Sequence, residues 1–356
     1  MKFGQLHLFE NPSGRTEKEI VDEQFDVMVR AEEFGFDSVW PAEHHFSEYG
    51  YCASPAVTLA AVAARTKTVR LGTGVVVLPL NHPVRVAEDF ALLDLMSNGR
   101  VDLGVGRGYQ PHEFAGYNID QTRSRDIFRE SVEIIQKSWT EERFSYDGEF
   151  YRIDNLSVRP KPMQRPHPPI WMASLSPDTF ELCGRYGFNL MCAPVFGFDV
   201  NTGAAQIEQY RQALRDHGRR PEDHEIAGLT ITYVAETTQQ ALADFRDAVM
   251  WYYRTFAKYI APPKDKPAVQ TYEFYQRARQ FLEVVEWDAV VRSGAVVCGS
   301  PEEVLDRIGQ IEELTGMTHY LAWTRIGGLA HPKVVRSMEL MAERVMPHLR
   351  KAAPSP

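Results

Sequence analysis

Short apolar stretches and longer amphipathic stretches alternate along almost the whole chain. The short stretches are rich in β-branched and other apolar residues, which is typical of buried parallel strands. In the longer stretches apolar residues recur at helical spacing, as Ile20, Phe25, Met28 and Val29 do before Gly35, a residue type that commonly ends helices. About eight strand–helix units follow one another, which favours a TIM (β/α)8 barrel of the α/β class over a doubly wound sheet with fewer strands.

The pattern also gives boundaries for the single elements. The predicted strands span residues 2–9, 37–40, 69–78, 101–105, 169–173, 188–191, 225–235 and 319–323. The predicted helices span residues 17–34, 55–65, 84–96, 122–139, 177–186, 204–217, 239–259, 301–314 and 332–349. Among the strands, 69–78 is the clearest, because it is β-branched and no charge interrupts it.

Two segments do not fit the alternation. Residues 141–165 are typical of a small hairpin followed by a proline-rich connector, and residues 261–294 combine a Pro/Lys segment with an extra helix. Both are expected to be insertions into the barrel. The second is long enough to form a lid over a site, although a simple surface excursion fits the sequence equally well.

Composition and charge mainly exclude classes of protein. The 356 residues are 44% hydrophobic and 24% charged with a formal net charge of -9, which argues against disorder and against general nucleic-acid binding. No apolar stretch approaches the roughly 18 residues of a membrane-spanning helix, and no secretory signal is visible at the N-terminus. Cys52, Cys183, Cys192 and Cys298 show no CxxC spacing, so we expect thiols in a reducing cytoplasm.

A barrel carries its chemistry where its strands end, and this rule selects the sequence Glu43–His44–His45 after the second strand. Adjacent side chains on an extended chain point to opposite sides, so at most one of the two histidines faces a site. We expect His44 to act in acid/base chemistry or hydrogen bonding, with a structural histidine as the alternative. A His-x-His pair is absent, so no metal site is expected.

Two further strand ends could bind an anion. Gly104-Val105-Gly106-Arg107-Gly108 lacks the spacing of a dinucleotide loop, and it indicates either a crowded strand end or a close approach of ligand to backbone, with Arg107 available for a phosphate. Ser176-Pro177 begins a helix whose first N–H groups could bind an anion, although ordinary capping explains the same residues. Asp178 should then point away from that anion.

Several motifs carry a family resemblance. They are FGFDSVWPAEHHFSEYG (residues 34–50), TKTVRLGTGVVVLPLNHPVRVAEDFALLDLMSNGR (66–100), GVGRGY (104–109), RSRDIF (123–128), GSPEEV (299–304) and VMPHLRK (345–351). On these motifs the chain resembles the bacterial luciferase-like flavin-dependent monooxygenases, and in particular the catalytic subunit of bacterial luciferase. The resemblance covers nearly the whole chain and implies a TIM barrel with insertions.

The resemblance also implies a cofactor site. Family members bind reduced FMN, or in other branches the deazaflavin F420, at the C-terminal end of the barrel. The residues that match flavin-phosphate positions are Arg107, Arg125, Ser176 and Thr179, with Ser174 and Leu175 in the same phosphate loop. Those that match flavin-ring positions are Gly74 and Val75, which are joined by a cis peptide bond in the family, and Tyr109, Met191, Cys192 and Trp251. His44 matches the catalytic histidine.

The expected activity follows from the same resemblance. It is a two-component monooxygenase that takes reduced FMN from a separate reductase, activates O2 as a C4a-hydroperoxyflavin and oxygenates a small organic substrate. Gly106, Leu175 and Leu6 depart from luciferase, where a reactive cysteine, an acidic residue and an aromatic residue stand, so the aldehyde pocket should differ and light emission is not expected. The alternatives are an F420-dependent dehydrogenase and a flavin-binding protein without turnover.

The sequence also leads to expectations for the number of domains and for the oligomeric state. Length alone allows two domains or one large barrel. The expected ligand-binding residues run from His44 to Trp251, and a closed barrel would bring them together, so we expect one domain over residues 1–356. The small-residue helix from Ala53 to Ala64 would allow close packing in a homodimer, as the resemblance implies, or packing on its own barrel.

Overall fold

Eight parallel strands close into a barrel in the structure, a computed structural model that describes residues 1–195, 199–260 and 273–350. The strands of the chain are β1 (Lys2–His7), β2 (Ser38–Pro41), β3 (Arg70–Gly72), β4 (Val76–Val77), β5 (Val101–Gly106), β6 (Phe144–Asp147), β7 (Arg152–Leu156), β8 (Ile170–Ser174), β9 (Asn189–Cys192), β10 (Ile226–Val234), β11 (Val296–Gly299) and β12 (His319–Trp323). The ring runs β1, β2, β3, β5, β8, β9, β10, β12 and back to β1. The predicted TIM barrel is confirmed.

Helices connect these strands and pack on the sheet. They are α1 (Glu17–Glu33), α2 (Pro55–Ala63), α3 (Pro83–Met96), α4 (Pro111–Gly116), α5 (Ser124–Thr140), α6 (Pro177–Tyr186), α7 (Val200–Asp216), α8 (Thr238–Tyr259), α9 (Glu273–Val284), α10 (Trp287–Ser293), α11 (Pro301–Thr315), α12 (His331–Leu340) and α13 (Met346–Leu349). The hydroxyl groups of Thr16, Thr237 and Ser300 accept first-turn N–H groups and so begin α1, α8 and α11. Within the described ranges, none of these helices is long and apolar enough to cross a membrane.

The prediction of one continuous strand over residues 69–78 is wrong. The chain forms β3, leaves the sheet over residues 73–75, returns as β4 and then makes a 3-10 turn at Leu78–Leu80. The N–H group of Gly74 donates to the carbonyl of Pro41, and the carbonyl of Val75 accepts from the N–H group of Glu43. These bonds tie the segment to the chain that follows β2, and the Gly74–Val75 peptide bond is cis, as the resemblance implies.

Two elements were not predicted, and both are short. The strand β11 adds to the C-terminal half of β10, outside the ring of eight. The helix α4 follows β5 directly and is only six residues long. Segments of this length carry too few residues for a clear hydrophobic period.

The two predicted insertions have different outcomes. The strands β6 and β7 form an antiparallel pair, so the hairpin expected within residues 141–165 is confirmed. In the second insertion, residues 261–272 lie outside the described part of the chain, and α9 and α10 occupy the rest up to Ser293.

Aromatic side chains fill the interior of the barrel below its C-terminal end. Trp40 on β2 meets Trp171 on β8 edge to face, with ring centroids 5.4 Å apart, although the two strands are not neighbours in the sheet. Trp171 also contacts His319 on β12 at 5.1 Å. These rings fill part of the barrel interior, and the C-terminal ends of the strands are where this fold places its ligand sites.

The glycines of β5 are required by neighbouring protein atoms. A Cβ atom on Gly104 would lie 1.8 Å from the carbonyl oxygen of Thr73, and one on Gly106 would lie 2.6 Å from Cγ2 of Val75. This supports the crowded strand end over a ligand loop as the reason for these two glycines. The segment over residues 73–75 therefore packs directly on β5.

This packing gives a testable prediction for stability. We expect Gly106→Ala to lower the free energy of unfolding by about 1–3 kcal/mol, because the new methyl group must displace Val75. Val75→Ala in the same chain should recover part of the loss, with a coupling of about 0.5–3 kcal/mol in a double-mutant cycle. Urea denaturation of the four proteins measures the coupling.

A matched control is available in α11. Gly309 has no atom within 4 Å of an added Cβ, so Gly309→Ala should be neutral or should stabilise the protein by up to about 1 kcal/mol, since alanine favours helix interiors. Strictly additive effects of the Val75 and Gly106 substitutions would show that contact between these two residues does not constrain position 106.

Candidate active site

One large cavity opens at the C-terminal end of the barrel. It encloses about 1260 Å³, including the space open to solvent at its mouth. Strand ends, the loops that follow them and the helices α8 and α9 form its walls. The lining residues are Leu6, Leu8, Ala42, Glu43, His44, Tyr49, Gly74, Val75, Val77, Gly106, Arg107, Gly108, Tyr109, Glu113, Ala173, Ser174, Leu175, Ser176, Thr179, Met191, Cys192, Ala193, Leu229, Ile231, Tyr252, Phe256, Tyr275 and Trp323.

The barrel brings most of the predicted site residues to this cavity. The predicted residues that line it are His44, Gly74, Val75, Arg107, Tyr109, Ser174, Leu175, Ser176, Thr179, Met191 and Cys192. Two predicted residues, Trp251 and Arg125, are not in the lining.

Trp251 lies half-buried on α8, and its neighbour Tyr252 lines the cavity instead. Successive residues of a helix point in directions about 100° apart, so an offset of one position moves a side chain off the cavity face. Arg125 lies in the first turn of α5, where its guanidinium group pairs with the carboxylate of Asp178.

His44 forms a buried pair with Glu113 of α4. Its Nδ1 atom lies 2.9 Å from Oε1 of Glu113, which also accepts the backbone N–H group of His45 at 3.0 Å. Burial of Glu113 acts to raise the pKa of its carboxyl group, but His44 and the His45 N–H group outweigh burial, so that pKa lies below its ordinary value. An ionised carboxylate only accepts, so Nδ1 of His44 carries the proton and Nε2 is left to exchange one with a bound molecule.

Glu113 was not predicted from the sequence. It lies 69 positions beyond His44, in a helix too short to be recognised. The available signal was an acidic residue just after the fourth barrel strand, in the position where this fold places functional groups.

His45 turns away from the cavity, which confirms that only one of the two histidines faces it. Its Nε2 atom lies 3.0 Å from Oε1 of Glu43. The Glu43 carboxylate also accepts the N–H group of Val77 at 2.8 Å and the side-chain amide of Asn81 at 2.9 Å. Glu43 and His45 therefore hold the broken third strand in place beside the site.

Three tyrosine hydroxyl groups meet at one wall. The Tyr49 hydroxyl lies 2.9 Å from that of Tyr109 and 3.1 Å from that of Tyr252. Burial raises the pKa of all three phenols, so they stay neutral and able to donate near neutral pH. Tyr49 and Tyr252 were not predicted, because no local motif links positions that the fold brings together from distant segments.

Hydroxyl groups and a helix N-terminus lie at another end of the cavity. Ser174, Ser176 and Thr179 line it beside Arg107, where α6 begins. The Ser176 hydroxyl does not cap α6 but donates to Oδ1 of Asp178 at 2.7 Å. The helix dipole and the arginine therefore favour an anion here. The hydroxyl groups of Ser174 and Thr179 donate to the carbonyls of Thr179 and Ser176, so these and the Ser176 hydroxyl would have to turn from their present acceptors to donate to that anion.

Asp178 is not in the cavity lining, as expected of a side chain that points away from the anion, but its carboxylate binds both the Ser176 hydroxyl and Arg125, two groups that the resemblance assigns to a phosphate. The first turn of α6 thus holds a carboxylate next to the proposed phosphate end.

The remaining lining suits a flat organic group. Leu6, Val75, Met191 and Ile231 contribute apolar surface, and the Gly74–Val75 peptide lies at the wall formed by the break between β3 and β4. His44, Glu43 and Glu113 are among the polar side chains that share the lining with these apolar residues. Among the described residues, no three His, Cys, Asp or Glu side chains are grouped as metal ligands would be.

Comparisons with known proteins agree with this picture. The sequence model of the family described as luciferase-like monooxygenase matches residues 1–319. The chain is 28% identical to the oxygenase component of the flavin-dependent trigonelline monooxygenase of Acinetobacter baylyi, over 96% of this chain and 93% of that one. It is 27% identical to the alkanal monooxygenase alpha chain of the Kryptophanaron alfredi symbiont, over 99% of both chains.

A solved structure is similar over the same extent. The crystal structure of the monooxygenase RslO1 from Streptomyces bottropensis superposes with a TM-score of 0.84 and 30% identity, over 98% of this chain and 100% of that one. Sequence and fold therefore agree. The chain belongs to the luciferase-like monooxygenase family and is an oxidoreductase of that family.

Proposed function

We propose that the chain is the oxygenase component of a two-component flavin monooxygenase. In this proposal it uses reduced FMN, supplied by a separate reductase, to activate O2 as a C4a-hydroperoxyflavin and oxygenate a small organic substrate. The observation that carries the proposal is a single cavity with an anion-binding end at α6, apolar walls and the His44–Glu113 pair. The trigonelline monooxygenase relative, itself an oxygenase component, supports it.

The cavity residues divide into two sets for this cofactor. Arg107, Ser176, Thr179 and the first N–H groups of α6 would hold the phosphate, as they combine a cation, hydroxyl donors and a helix dipole. Ser174 and Leu175 complete that end. The ring would lie against Gly74, Val75, Tyr109, Met191 and Cys192. Arg125 would join the phosphate set only by leaving Asp178, and Trp251 would need to act from outside the lining.

His44 would serve as the acid/base group. With its Nδ1–H directed to Glu113, the imidazole can take up or release a proton at Nε2 on the cavity side. The apolar residues around it exclude water and so limit unproductive proton transfer. Glu113 would orient the ring and stabilise its protonated form, without touching the substrate itself.

The cofactor assignment can be tested by comparing FMN with riboflavin, which lacks the phosphate. We expect the wild-type protein to bind FMN more tightly and Arg107→Ala to lose about 10- to 100-fold in FMN affinity, as removal of a charge-assisted hydrogen bond predicts. Riboflavin affinity should change little. Anaerobic titration of the reduced flavins measures both values.

Arg129→Ala is the control, because Arg129 lies exposed on α5 and is not in the cavity lining. Tight binding of F420 with no binding of FMN would instead establish the alternative, an F420-dependent dehydrogenase on the same scaffold.

The role of His44 can be tested without knowing the substrate. On mixing the reduced FMN complex with O2, we expect His44→Ala to change the rate of flavin reoxidation and peroxide release by about 100-fold or more, as is typical for loss of an acid/base group. Glu113→Gln should act in the same direction but more weakly. Stopped-flow absorbance and a peroxide assay record the two quantities.

His217→Ala is the matched control, because His217 is exposed at the end of α7, where its Nδ1 lies 2.8 Å from the Ala213 carbonyl. Unchanged rates in His44→Ala, with FMN still bound, would favour the third possibility, a flavin-binding protein without turnover.

We also propose that the chain forms a homodimer through α2 and α3. These helices pack on each other and expose Val57, Leu92, Leu95 and Met96, each between 42% and 71% exposed. Adjacent exposed apolar side chains of this kind mark association surfaces. Sedimentation velocity should give a dimer for the wild type and a monomer for Leu92→Lys/Leu95→Lys. Leu314→Lys, at a 49% exposed position of α11, should leave the dimer intact.

The domain organisation, cellular location and partners of the chain are also proposals. We propose that residues 1–356 act as one domain with its insertions near 141–165 and 261–294, and that the chain works in the cytoplasm without membrane or nucleic-acid partners. The support is the distribution of barrel strands from Lys2 to Trp323, together with the net charge of -9. Limited proteolysis that released a stable fragment would overturn the single domain.

A further inference from the structure

The helix α9 of the second insertion reaches the cavity through Tyr275. Its ring lies parallel to that of Tyr109, with an interplanar angle of 14° and centroids 5.5 Å apart. At its other end α9 is tied to α8, because the Arg254 guanidinium group donates to the carbonyls of Leu282 and Val285. The helix α9 therefore packs on α8 and on the ring of Tyr109 in the cavity wall.

From Tyr109, direct contacts continue to the catalytic histidine. The Tyr109 hydroxyl lies 2.9 Å from that of Tyr49, and the Tyr49 ring meets the His44 ring at an interplanar angle of 88° with centroids 4.7 Å apart. Side chains in contact thus connect α9 with His44 through Tyr109 and Tyr49.

These contacts fix what the hydrogen bond to Glu113 leaves open. The bond at Nδ1, together with the covalent link through Cβ, sets the mean orientation of the imidazole but allows small rotations about the Cβ–Cγ bond. The perpendicular ring of Tyr49 packs on the imidazole and limits these rotations, and with them the direction in which Nε2 points. The second ring, Tyr109, lies 5.8 Å from His44 at 69° and supports the same orientation.

We propose that Tyr49, Tyr109 and Tyr275 are positioning residues that couple the seating of α9 to the orientation of His44. When α9 is seated, Tyr275 holds Tyr109, Tyr109 holds Tyr49, and Tyr49 holds the imidazole with Nε2 towards the cavity. When α9 moves away, the stacking partner of Tyr109 is lost and the imidazole plane is less restrained. The functional consequence, that acid/base action depends on the insertion, rests on the proposed function.

The direct test observes His44 itself and needs neither flavin nor substrate. Protein labelled with ¹⁵N-histidine gives long-range ¹H–¹⁵N signals for the ring nitrogens, and a His44→Asn sample identifies those of His44. We expect one set of His44 signals with the proton on Nδ1 in the wild type. In Tyr49→Phe and Tyr275→Leu those signals should shift or split, while Tyr275→Phe, which keeps the stacked ring, should restore the wild-type signals.

Tyr210→Phe is the matched control, since the buried Tyr210 hydroxyl donates to the Phe188 carbonyl at 2.8 Å, outside the cavity. It should leave the His44 signals unchanged. If Tyr275→Leu unfolds α9, Tyr49→Phe still tests the coupling from within the barrel. Wild-type His44 signals in both Tyr49→Phe and Tyr275→Leu would overturn the proposal.

A kinetic measurement separates this proposal from the proposed function. Tyr49→Phe should change the reoxidation rate of bound reduced FMN by about 10-fold, as small misplacements of a reacting group do, while the FMN dissociation constant stays within about twofold. A protein that binds no FMN but shows the His44 signal changes would refute the proposed function and keep the coupling. A protein that binds FMN but does not show the His44 signal changes would refute the coupling and keep the proposed function.

Discussion

Close packing between the break in the third barrel strand and β5 is the constraint on which the cavity depends. The carbonyl of Thr73 lies against Gly104 and the side chain of Val75 lies against Gly106, at distances that leave no room for a β-carbon. The chain therefore cannot continue as a straight strand and turns its backbone towards the segment after β2. This contact gives the cavity its wall at the Gly74–Val75 peptide and determines the path of the loop that carries His44.

The same constraint explains why the two adjacent histidines differ in role. Glu43 accepts the N–H group of Val77 in β4 and lies within hydrogen-bonding distance of His45, so these two side chains are committed to holding the broken strand. His44 lies between these two residues in the chain, and its side chain faces the cavity, where its Nδ1 atom lies 2.9 Å from Oε1 of Glu113. His45 therefore stabilises the broken strand, whereas His44 faces the cavity.

The sequence predicted the features that depend on local pattern. It missed the features that depend on contacts between segments distant in the chain. The barrel and the helix start at Ser176–Pro177 follow from periodicity and from a proline in the first helical position, which depend on neighbours in the chain. The continuous strand over 69–78 was wrong because its apolar residues suit a strand but its path is set by β5 and by the chain after β2. Glu113, Tyr49 and Tyr252 were missed because only the folded barrel brings them to the site.

The charges around the cavity are arranged so that it distinguishes the two ends of a ligand. The carboxylates of Glu43 and Glu113 each accept several hydrogen bonds from protein groups, which directs their charge into the wall. Positive potential is concentrated at the other end, where Arg107 and the N-terminus of α6 lie. On the proposed function, a molecule with one anionic end would bind with that end at α6 and its neutral end towards His44. Its position along the cavity would then be set by the anion, and the rings packed around the histidine would need only to orient the imidazole.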